Sequence, residues 1–138
     1  MGDDFDDNNG YEGEDNYKDQ ILQLCKLAQG NITTIYWCKQ QIKKRLKVLD
    51  RLVDRMSDVT SLEPSPEKRK RKQHLDGVIK RQTDACKNLG EKIQEEIESL
   101  EQIRIAAKSF GIDIKTKLLE LDDTLDGDDV DSFFEDDQ

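Results

Sequence analysis

The feature that most restricts how this chain can fold is an alternation of four- and three-residue steps between apolar side chains. It runs through Ile21, Cys25, Ala28, Ile32, Ile35, Lys39, Ile42, Leu46, Leu49, Val53 and Met56, and Lys39 is the one polar interruption. Such steps average 3.5 residues, the repeat of a coiled-coil seam rather than of a straight helix at 3.6. A lone helix would rotate the stripe off its own face, so the pattern requires a partner helix. The same alternation resumes at Leu75, Ile79, Gln82, Cys86, Leu89, Ile93, Glu96, Leu100, Ile103, Ala107 and Phe110. Two polar insertions, Gln82 and Glu96, fall on that second seam, and Ile97 lies beside the latter.

Between the two stripes stand the only prolines, Pro64 and Pro66. Neither fits inside a helix, because each removes a backbone donor and pushes its predecessor to extended geometry. Ser65 suits an N-cap with Pro66 at the first helical position. The arms on either side are of nearly equal length, roughly 60–68 Å each at 1.5 Å per residue. A short break between equal arms favours an antiparallel hairpin, with one long parallel dimer kinked at the prolines as the alternative. Gly111 marks a stop, and Ile114, Leu118, Leu121 and Leu125 outline a short third amphipathic helix.

Composition agrees with a thin helical fold. Only 34% of the residues are hydrophobic while 38% are charged, too few and too many for a thick core. The net charge of -9 divides unevenly: -7 over residues 1–17, +7 over 18–121 and -9 over 122–138. Blocks of like charge stay solvated and serve as interaction tails. The expected organisation is therefore all-α, with a disordered acidic arm over 1–17 and a coiled-coil hairpin over 18–110 turning near 61–66. A short amphipathic helix over 111–125 and a disordered acidic tail over 126–138 complete it.

A two-helix hairpin buries only its seam. Leu22, Leu24, Leu27, Tyr36 and Trp37 fall off the first seam, and Ile97 and Ile105 off the second. Either the third helix folds back over part of this apolar surface, or partner helices cover it. One short helix reaches too few of these positions, so the expectation is a partner interface made by those seven residues. The partners would be helical proteins, as a homo- or hetero-oligomer.

Residues 39–81 hold fourteen Lys or Arg against six Asp or Glu, a net of +8 that a hairpin would gather near its turn. Within it, Lys68, Arg69, Lys70, Arg71 and Lys72 satisfy a short nuclear-import pattern. Ser65-Pro66-Glu67-Lys68 resembles the Ser-Pro-x-Lys consensus of cyclin-dependent kinases. A phosphate on Ser65 would sit at a helix N-terminus beside those five cations. Nonspecific nucleic-acid binding has the charge it needs, but no aromatics are interleaved with it and the acidic arms compete, so it is not expected.

The arms set aromatics among acids: Phe5 in Asp3–Asp7, and Phe133 and Phe134 ahead of Glu135-Asp136-Asp137. These stretches resemble the caps by which histone chaperones hold histones, and also resemble transactivation segments. The second distantly resembles the two-phenylalanine acidic motif read by an endoplasmic-reticulum receptor, without that motif's alanine. A 17-residue coil typically spans about 20–25 Å, so an arm rooted at the far end of a hairpin would act outward or on a neighbouring chain.

Nothing in the sequence points to catalysis, a cofactor or a metal. His74 is the only histidine, with no ligand or nucleophile at useful spacing. Residues 122–131 resemble a calcium loop but lack Glu at the twelfth position. Three cysteines, Cys25, Cys38 and Cys86, form no CxxC pair and read as reduced thiols. No apolar run reaches the ~18 residues of a membrane span, and no secretory leader is recognisable. The expected protein is an intracellular, nuclear or cytoplasmic, non-catalytic scaffold or adaptor subunit. The alternative is a histone-binding chaperone that works through its acidic-aromatic arms.

Overall fold

The computed structural model describes the backbone of residues 2–122 and 124–134, with side chains within those ranges from Tyr17 onward. Four helices follow in order: α1 Gly2–Thr60, α2 Pro66–Ser109, α3 Ile114–Leu121 and α4 Gly127–Phe133, with no strand among the described residues. The two long helices pair as an antiparallel hairpin inside one chain, which sets aside the parallel dimer. Apart from Tyr17, the side chains of the acidic arm expected over 1–17 lie outside the described residues. The chain divides into two compact units, one of residues 1–33 with 96–138 and one of residues 34–95.

The 34–95 unit holds the proline turn. Its seam on α2 follows the stripe read from the sequence, for Leu75 is buried and Ile79, Gln82, Cys86, Leu89 and Ile93 are half-buried. On α1 the seam is shifted from the expected one. Cys38, Leu52 and Val59 are buried and Arg45 half-buried, while Lys39, Leu46 and Val53 are exposed. The cause is an extra three-residue step from Ile35 to Cys38, after which the alternation of four and three resumes one residue earlier. Leu52, Val59 and Leu75 then form a cluster with Met56, Val78 and Ile79 packed against it.

The turn itself is held by side chains. Ser65 Oγ accepts from the Lys68 backbone N–H at 3.1 Å, the expected N-cap, with Pro66 opening α2. Lys68 Nζ donates back to the carbonyls of Thr60 at 3.0 Å and Leu62 at 2.6 Å, which the end of α1 and its turn would otherwise leave to water. Lys68 thus joins the end of one helix to the start of the next.

The other unit is thicker. Ile21, Cys25, Ala28 and Ile32 from α1 are buried with Leu100, Ile103 and Ala107 from α2, and α3 and α4 add Ile114, Leu118, Val130, Phe133 and Phe134. Helix α2 ends as the glycine foretold. Gly111 has φ 76, its N–H bonds to Lys108 O at 2.9 Å, and Ile112 N–H reaches Ala107 O at 3.0 Å. This is the paired C-terminal bond pattern that a left-handed residue permits. The Tyr17 hydroxyl donates to the Phe110 carbonyl, and the two rings meet edge to face with centroids 5.0 Å apart.

Asp113 caps α3, accepting from Lys115 N–H at 3.2 Å, and Asp126 caps α4, accepting from Asp128 N–H at 2.9 Å. Over 126–134 the structure therefore departs from the disordered tail expected there. Val130, Phe133 and Phe134 fall at i, i+3 and i+4, so one face is apolar although the segment is acidic. Burying each aromatic is worth about 1.5–3 kcal/mol, which offsets part of the cost of ordering a seven-residue helix. Asp128, Asp129 and Asp131 stay exposed, and Asp131 pairs with Lys115 at 3.4 Å. Residues 135–138 lie outside the described residues.

Candidate interaction surfaces

In the unit that contains α3 and α4, the two short helices leave apolar surface uncovered. Leu22, Leu27 and Ile105 remain 46%, 60% and 50% exposed, while Leu24 and Ile97 are half-buried. Leu22 and Leu27 stand on α1 and Ile105 on α2, because their positions fall outside the four-three seam. Helix α3 buries Ile114 and Leu118 in this unit, while Leu22, Leu27 and Ile105 remain exposed. Cys25 lies in the four-three seam; burial pushes its thiol up, and the charge of Lys117 on α3 pulls it partly back.

In the 34–95 unit, Trp37 is 58% exposed and Tyr36 half-buried. The shifted seam exposes two more large side chains, Leu46 and Val53, seven residues apart and so on one face of α1. Sequence reasoning missed this pair because it had placed both on the seam. The available signal was the neighbour of each: Arg45 beside Leu46, and Leu52 beside Val53, give an equally regular stripe one residue earlier.

The basic cluster is divided. Arg69, Lys70, Arg71 and Lys72 are exposed, whereas Lys68 is half-buried with its amine held by the two turn carbonyls. Ser65 is exposed, next to a shallow depression lined by Lys68, Arg69 and Lys72. Further along the unit, Arg55, Val59, Arg71 and Leu75 border an open recess of about 460 Å³ that the sequence did not announce.

The acidic-aromatic candidates fare unequally. Phe5 lies outside the described side chains. Phe133 and Phe134 are 1% and 3% exposed, packed into their own unit, with Lys115 Nζ 5.9 Å from the Phe134 ring centroid. They are core residues in this structure, not a surface motif, because the helix that carries them places both against the hydrophobic interior.

Among the described residues no group of three or more His, Cys, Asp or Glu is placed to hold a metal ion, and no helix is long and apolar enough to cross a membrane. No family model matches the chain, and no curated protein or solved structure shows significant similarity to it. The surfaces are therefore interpreted by their own chemistry.

Proposed function

We propose that this chain is a non-catalytic coiled-coil scaffold or adaptor subunit of a multiprotein assembly, holding helical partners through apolar side chains that its own fold leaves uncovered. The observation that carries this reading is the exposure of Leu22, Leu27, Trp37 and Ile105 on helices whose remaining exposed residues are mostly charged or polar. Large apolar side chains left exposed on an otherwise polar helix surface are candidate association sites. Two of the four, Leu27 and Trp37, are more than half exposed, so a partner would gain most of their burial energy.

The basic cluster supports a nuclear or chromosome-associated role as part of the same reading. Four of its five cations are exposed, as a nuclear-import receptor requires. Ser65 is accessible at the start of α2, where a phosphate would meet backbone donors and neighbouring cations. The histone-chaperone reading loses support at the C-terminal end, where both phenylalanines are buried.

The test is a quantitative comparison of proteins co-purified with the wild type, Leu27→Glu and Trp37→Glu. Each substitution puts a carboxylate where a partner would bury apolar surface, at a cost of several kcal/mol if the site is occluded. Loss of the same recovered set from both variants, with unchanged helicity, is the expected result. Recovery of an unchanged set from both would remove the proposal.

A further inference from the structure

The recess in the 34–95 unit combines two kinds of chemistry. Its floor is Val59 and Leu75, both part of the buried cluster, and its wall is largely carbon. That wall comes from the stems of Arg55, Lys70 and Arg71, whose charged ends reach toward solvent. Asp58 is the one acid at its edge, and His74 stands beside Leu75. None of the three cations is held in an ion pair among the described residues. At about 460 Å³ the recess accommodates one aromatic side chain and the backbone that carries it. A ligand for it has an apolar ring in the middle and carboxylates on both sides.

The chain carries that chemistry twice. The C-terminal instance is committed to its own unit, since Phe133 and Phe134 are buried there. The N-terminal instance is Asp3-Asp4-Phe5-Asp6-Asp7, one ring between two pairs of acids, inside a stretch of 17 residues that bears -7 and no Lys or Arg. We propose that the recess between Val59 and Leu75 binds the Asp3–Asp7 segment of a second copy of this chain. Phe5 enters over the two apolar side chains, and the flanking carboxylates meet Arg55, Lys70 and Arg71. In α1 more than fifty residues separate Phe5 from Val59, roughly 80 Å at 1.5 Å per residue, so the segment does not reach its own recess and exchange between copies is favoured over closure within one. Each copy gives one segment and receives one, so the exchange closes as a two-fold pair. The proposal is independent of the exposed Trp37 and Leu27 side chains and holds whether or not either has a partner.

The probe is a fluorescein-labelled peptide of residues 1–17, titrated by anisotropy into the full chain, with a Phe5→Ala peptide and an Arg55→Glu/Arg71→Glu protein as comparisons. Removing either the ring or the cations should weaken binding by about tenfold or more, as expected when a central anchor or its charge partners are lost. Raising ionic strength from about 0.05 M to about 0.5 M should weaken the wild-type peptide further. Equal binding of the Phe5→Ala peptide, or equal binding to the charge-reversed protein, overturns the site. Exchange between copies is then read by mixing full-length Phe5→Ala, which keeps the recess, with full-length Arg55→Glu/Arg71→Glu, which keeps the segment. Sedimentation should show a complex in the mixture that neither variant forms alone through this contact. No complex, in the face of peptide binding, would mean that the occupant is a foreign acidic peptide and would overturn the second copy as partner. If the double charge reversal lowers helicity, Arg71→Gln alone serves in both measurements.

Discussion

Arg45 Nη1 donates to Gln82 Oε1 across 2.9 Å, placing one polar layer in the otherwise largely apolar seam of the 34–95 unit. The Arg45 Nε is buried and has no hydrogen-bond partner, so the layer is only partly satisfied. Such layers select one register at some cost in stability. Replacing Gln82 alone with Leu should destabilise the hairpin by about 1–3 kcal/mol, since the guanidinium loses its acceptor. The double change Arg45→Leu/Gln82→Leu should be neutral or stabilising in a denaturant titration, and should broaden the oligomeric mass. A double variant less stable than the single one would show that the layer contributes net stability.

That pair also shows where the sequence was legible and where it was not. Every position expected on the second seam, from Leu75 on α2 to Phe110 just past its end, is buried or half-buried, because that helix has few adjacent apolar pairs to confuse the phase. Ser65 and Gly111 act as expected for the same reason: each needs only its own local geometry. On α1 the phase after Ile35 was ambiguous. Leu52-Val53 and Arg45-Leu46 offer two stripes, and the choice depends on what α2 presents, here Gln82 opposite Arg45. The α4 segment was misread because its charge outweighed the i, i+3, i+4 spacing of Val130, Phe133 and Phe134. As for the candidate surface, its off-seam residues were legible, whereas a recess made by Val59 and Leu75 from opposite helices has no signature in either stripe.

Lys68 should behave differently from its neighbours. Its amine bonds to Thr60 O and Leu62 O, so Lys68→Ala should cost about 1–2 kcal/mol of hairpin stability. Lys72→Ala, at an exposed position of the same cluster, should change thermal stability within about 0.5 kcal/mol. Equal effects from the two would contradict the staple.

The C-terminal helix should contribute to folding. Phe133→Ala removes a fully buried ring and is expected to destabilise its unit by about 3–5 kcal/mol. Asp129→Ala, on the exposed face of α4, should be close to neutral. Amide exchange over 127–134 checks the same point, with protection expected in the wild type and lost in Phe133→Ala.

Thiol chemistry separates the three cysteines. Cys25 and Cys38 are buried and Cys86 half-buried, so an alkylating reagent should label Cys86 first. Burial raises the Cys25 thiol above its ordinary value, so the folded state holds that proton more tightly than the unfolded chain. The sign follows: its stabilising contribution is complete below the ordinary thiol range and fades as alkaline pH rises through the raised value. Cys25→Ser should remove that part of the alkaline decline while Cys86→Ser leaves it, as followed by circular dichroism against pH.

Burial of exposed apolar side chains by a partner is the central proposal, and Trp37, the only tryptophan, reports on it without interference. Its emission can be recorded in the isolated chain and again in the purified assembly, with tryptophan-free partners or selective labelling of this chain. The isolated chain should emit close to tryptophan in water, as a ring 58% exposed requires. In the assembly the emission should move to the blue and resist quenching by iodide, because a helix now covers the ring. An unchanged maximum with undiminished quenching in the assembled state would contradict Trp37 as part of the holding surface.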